Sequence, residues 1–83
     1  MPLITKAKAH KMGIKRKSLQ TIEIPRSWTL KESRDWLKKR GYLWMYHRMT
    51  PNFRRFAQTY DIKDATFYSK KLPNDIVMVF QEY

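Results

Sequence analysis

Cysteine is absent from the chain, which excludes a disulfide framework and any thiolate metal site. Glycine is nearly absent as well, and its two copies, Gly13 and Gly41, cannot build the glycine-rich loop that cradles a nucleotide phosphate. Histidine occurs only as His10 and His47, too few for a zinc site without carboxylate help, so neither a metal nor a cofactor is expected. No stretch approaches the ~18 consecutive apolar residues of a membrane span, and the N-terminus lacks the ~7 to 15 apolar residues of a signal peptide. An intracellular setting is the expectation. There is no HExxH and no cysteine nucleophile, so the reading is a binding protein and not an enzyme.

Acidic residues are the other scarcity, seven against eighteen Lys and Arg, giving a formal charge of +11 over 83 residues. That length permits one domain with a small core, and three Trp with nine other aromatics are the means of stabilising it. A charge this large exceeds what solubility needs and repels itself unless a polyanion relieves it. The expected partner is therefore anionic, nucleic acid first, and no small-molecule substrate is indicated.

Residues 1–18 carry Lys6, Lys8, Lys11, Lys15, Arg16 and Lys17 with no acidic residue, and read as a flexible basic arm of the kind that binds nucleic acid. Lys15, Arg16 and Lys17 also form a short cluster of the nuclear-import type. Residues 19–83 read as one α+β domain. Alternation puts Leu19, Thr21 and Glu23 on one side of a first strand and Gln20, Ile22 and Ile24 on the other, ended by Pro25. Thr29 precedes Glu32 by the three residues of a capping box, so a helix is predicted over 30–40 with Gly41 as its left-handed terminator. Leu30, Ser33, Trp36 and Leu37 form its inward stripe.

Residues 42–49 are too aromatic for a surface loop and read as a strand or a packed irregular segment. Thr50, Pro51 and Asn52 supply a turn into a strand over 53–59. Residues 61–64 read as a polar loop. A hairpin through Pro73 and Asn74 joins strands over 65–72 and 75–81, and the apolar run Ile76 to Phe80 predicts a central strand covered on both faces. The architecture expected is a strand, a helix and then about three strands, with the helix on one face of a mainly antiparallel sheet. One helix cannot hide both faces, so the second, if it carries Trp44 and Tyr46, must meet a ligand or a second copy of the chain. A homodimer is one expectation.

The strongest functional signal is the interleaving of cations with aromatics between Lys38 and Arg55. Lys38, Lys39, Arg40, Arg48 and Arg54 are the candidate phosphate contacts, and Trp44 is a candidate stacking ring. Arg54 and Arg55 are adjacent and so point to opposite faces of a strand; Arg54 is favoured if Phe53 and Arg55 share the other face. An alternative reading is a toxin-like ribonuclease using His47, after small toxins in which a glycine-aromatic helix end precedes a strand bearing the catalytic histidine. Their Gly-Ser-His signature is missing, since Met45 and Tyr46 precede His47. A third reading is a structural virion or interaction protein.

Trp36, Leu37, Lys38, Lys39, Gly41 and Tyr42, then Arg54, Arg55 and Phe56, then Lys70, Lys71, Leu72, Pro73 and Asn74 together resemble a small domain of large DNA viruses and phages. The similarity spans residues 27–79, and with the basic segment the chain resembles small basic virion proteins of marseillevirus-type giant viruses. The resemblance implies DNA in preference to RNA, a place in the virion and a passage through the host nucleus. The chain departs from the pattern at Asp75, where glycine usually follows the asparagine.

Overall fold

The computed structural model describes residues 3–83. The elements are β1 (Leu3–Ile4), α1 (Lys6–Lys11), β2 (Lys17–Pro25), α2 (Leu30–Lys39), β3 (His47–Met49), β4 (Phe53–Ala57), β5 (Asp61–Ile62), β6 (Thr66–Lys71) and β7 (Val77–Glu82). Five strands form one antiparallel sheet in the order β3-β4-β2-β7-β6, and β1 pairs with β5 in a separate parallel pair. The class is α+β, as the sequence predicts.

Helix α2 forms where its caps dictate. Thr29 Oγ1 accepts from the Glu32 amide at 3.1 Å, and Glu32 Oε1 accepts from the Thr29 amide at 2.9 Å, so both orphan donors are satisfied. The backbone bond from Thr29 also holds the Glu32 carboxyl below its ordinary pKa. At the other end Gly41 takes φ +76, the Tyr42 amide donates to the Leu37 carbonyl at 3.0 Å, and the Gly41 amide donates to Lys38 at 3.2 Å. The hydrophobic contact that accompanies this motif is present too, with the Tyr42 and Trp36 rings stacked at 6.1 Å.

Leu37 and Ser33 face inward from α2 and are fully buried with Ile22, Ile24, Phe56 and Ile76. This is the main core, and it lies between the helix and one face of the sheet. Cross-strand pairing fixes which residues share that face: His47, Phe56, Ile22, Met78 and Lys70 stand in one row, as partners directly opposite project to the same side. The next row, Arg48, Arg55, Glu23, Val77 and Lys71, therefore projects to the face without the helix.

Several sequence expectations are corrected. The basic segment is not a loose arm: Thr5 caps α1 by accepting from the Lys8 amide at 3.2 Å, and Ala9 is fully buried with Ile4 and Ile62 in a second small core. Residues 61–64 are not wholly loop, because Asp61 and Ile62 pair with Leu3 and Ile4. A bulge between Leu19 and Thr21 returns Leu19 to the helix side, where it packs on the main core, so Leu19 does not share a face with Thr21 and Glu23. The bulged residue, Gln20, is buried and bonds Asp61 and Thr21. Strand β7 has a neighbour on each side, yet Val77, Met78, Val79 and Phe80 are only half-buried, so it is not doubly covered.

Asp75 takes φ +67, the left-handed conformation that favours glycine. The turn accommodates it through an Asp75 amide bond to Leu72 at 3.0 Å and an ion pair with Lys71 at 3.3 Å.

Candidate nucleic-acid interface

The face away from α2 holds an open groove of about 1130 Å³. Its floor includes a row of small side chains, Ala57, Thr21 and Val79, contributed by three adjacent strands. Arg48 and Arg55 stand on one side of that row, directly opposite each other across β3 and β4. Residues 60–64 and Phe67 line the groove elsewhere, and Tyr46 lines it beside β4, where its carbonyl accepts from the Ala57 amide at 3.0 Å. Tyr46 is 62% exposed and Phe67 50% exposed, so both rings are available to a ligand.

The groove is held by polar side chains used in place of backbone. Gln81, fully buried, donates to the Tyr60 carbonyl at 2.7 Å and to Ser18 Oγ at 3.1 Å, and accepts from the Ile62 amide at 3.1 Å. Gln58 clamps the irregular segment after α2 by donating to the Leu43 carbonyl at 2.8 Å and accepting from the Leu43 amide at 2.9 Å. These glutamines satisfy backbone groups that no strand partner reaches.

Among the described residues the Lys71–Asp75 contact is the one ion pair within 4 Å, so the positive charge is hardly neutralised internally. Arg55 Nε is buried and has no hydrogen-bond partner, although Glu23 lies opposite it on β2. Arg48 and Arg55 are directly opposite cross-strand neighbours, and like charges so placed are destabilising. An anion between them would remove both defects.

The structure separates the candidate residues that the sequence grouped. Arg48 lies in the groove. Arg54 does not: it shares the helix side with Phe56, and its Nε donates to the Trp28 carbonyl at 3.2 Å, so Arg55 is the residue of that pair on the open face. The rule that adjacent strand residues diverge was sound, but choosing between them required the register against Ile22. Trp44 is likewise no free platform. It is half-buried against the main core, with Lys38 Nζ 4.1 Å from its ring centroid and Arg34 at 5.8 Å. Arg40 covers Trp36 in the same way at 4.2 Å.

Lys38, Lys39 and Arg40 are exposed at the end of α2, on the opposite side of the sheet from Arg48. Lys6, Lys8 and Lys11 are exposed on α1, Lys15 and Arg16 follow it, and Lys17 opens β2 with its Nζ 5.8 Å from the Tyr68 ring. None of these lines the groove. Lys63, which does, was missed because its segment reads as an ordinary polar loop.

His47, on which the ribonuclease reading depends, stacks its ring on Phe56 at 5.1 Å on the helix side, while the residue also contributes to the groove lining beside Arg48. Its pKa is held below the ordinary 6.5 by burial first, then by the Arg54 and Arg34 charges. A histidine that is neutral in the fold and binds a proton more readily when unfolded stabilises the protein above its unfolded pKa. That stability is lost as pH falls below about 6.5 through the folded value. Thermal melts between about pH 7.5 and about pH 5 should show the wild type losing melting temperature faster than His47→Gln. Parallel curves would remove His47 as the source.

Among the described residues no three His, Asp or Glu side chains come together to hold a metal ion, and no helix is long and apolar enough to cross a membrane. Comparison with known protein families, curated proteins and solved structures finds no match to this chain.

Proposed function

We propose that this protein binds nucleic acid, DNA in preference to RNA, by its phosphate backbone, with Arg48 and Arg55 on the open sheet face as the central contacts. The observation that carries the reading is that cross-strand pair of arginines, neither with a carboxylate within 4 Å, on a chain of net charge +11. Arginine's planar fork suits phosphate oxygens, and charge-assisted bonds of this kind are the strong ones. Phosphate contacts carry no base information, so binding is weakly sequence-specific.

The lysines of α1 and the end of α2 add long-range attraction without sharing the groove. The likeness of residues 27–79 to the viral domain adds a setting to the proposal, a virion protein acting on viral or host nuclear DNA. No catalytic role is assigned.

The test is a titration against duplex DNA, single-stranded DNA and double-stranded RNA at several salt concentrations. The expected result is a steep fall of log affinity with log salt, about 0.9 per phosphate neutralised on duplex DNA. Absence of binding to all three at low salt would end the proposal.

A further inference from the structure

The groove on the open face has features that phosphate binding alone does not explain. Resting on the reading of the protein as a nucleic-acid binder, we propose that its ligand is an unpaired strand, with phosphates on Arg48 and Arg55 and bases stacked on Phe67 and Tyr46.

Concavity is the first argument. Arg48 and Arg55 line a hollow whose floor includes small side chains, a shape that a single strand with its bases splayed out can enter. The ligand must enter the protein. At about 1130 Å³ the groove also exceeds the ~300–1,000 Å³ of a small-molecule site, so it suits a segment of a polymer.

The exposed rings are the second. Phe67 belongs to β6 and Tyr46 precedes β3, the two edge strands of the sheet. Four interstrand spacings of about 4.8 Å separate these edges by ~19 Å, so the rings serve different nucleotides. Exposed rings offer flat faces on which bases can stack, and base faces become available only when bases are unpaired. Stacking on aromatics is sequence-tolerant, which agrees with backbone-directed binding.

Charge complementarity favours nucleic acid over a second copy of the chain. Arg48 and Arg55 stand together at one side of the groove, while Lys63 lies elsewhere on it with Asp61 and Asp64. A chain of net charge +11 repels a second copy of itself where a polyanion is attracted.

The experiment compares labelled oligo(dT), oligo(U) and a DNA duplex of the same length, using the full chain and the variants Phe67→Ala and Tyr46→Ala. Both rings are exposed, so the variants should melt as the wild type does, which is checked first. Oligo(dT) and oligo(U) should both bind more tightly than the duplex, with oligo(dT) the tighter of the two. Each variant should weaken single-strand binding by about 5- to 150-fold and leave the duplex nearly unchanged. Duplex binding as tight as single-strand binding, with ring variants that affect both alike or neither, would overturn this inference and leave nucleic-acid binding standing. No binding of any of the three would overturn both. A dimer abolished by Phe67→Ala, with single-strand affinity unmoved, would assign the face to self-association and equally overturn it.

Discussion

Replacing Arg48 and Arg55 together by alanine is expected to weaken nucleic-acid binding by about a hundredfold or more while leaving the fold intact. Hydrogen bonds to charged groups contribute about 1.5–3 kcal/mol each, so losing two amounts to about 3–6 kcal/mol, at tenfold in affinity per ~1.4 kcal/mol. The log-log salt slope should fall by about two. Stability should move little or in the opposite direction, because the variant removes two like charges set against each other and a buried Nε without a partner. A residue that weakens the fold and strengthens binding is the mark of a site, whereas loss of both together would mean that the arginines serve structure. Lys38→Ala with Lys39→Ala is the control, on the other side of the sheet, and should cost much less in both affinity and slope than the arginine pair. Equal losses from the two pairs would deny the open face its central place.

How far the sequence led can be judged at these same residues. The limits of α2 were legible because they are written locally, in Thr29 with Glu32 at one end and Gly41 with Tyr42 at the other. The closing hairpin was legible for the same reason. Arg55 was not, since its direction depends on Phe56 meeting Ile22, more than thirty positions away in sequence. The Gln20 bulge defeated simple alternation in the same manner, by inserting one residue that no local signal marks. Trp44 could not be assigned because the cations that cover it, Arg34 and Lys38, lie one turn apart on a helix whose orientation comes from tertiary packing. The basic segment was misread for a compositional reason. Its apolar residues, Ile4, Ala9 and Ile14, are small or sparse among lysines, and their partners Ile62 and Tyr83 come from the far end of the chain.

That last correction carries a large expected effect. Ile62→Ala should cost about 2–5 kcal/mol, the range for truncating a buried aliphatic side chain, since Ile62 is 1% exposed and packs with Ile4 and Ala9. In a domain of this size 1 kcal/mol displaces the melting temperature by about 4–8 °C, so the fall should be about 10 °C or more. Leu3→Ala, at a residue 64% exposed on the same short strand pair, should cost far less. A flexible arm would give the opposite outcome, an Ile62→Ala protein melting with the wild type. The variant also reaches the groove without touching a charge. The Ile62 amide donates to Gln81, and Asp61, Lys63 and Asp64 beside it line the groove. Loosening that wall should lower single-strand affinity below the melting transition while the salt slope, set by Arg48 and Arg55, stays as it was. A slope that fell with the affinity would place phosphate contacts on the wall itself, with Lys63 the cation to replace next.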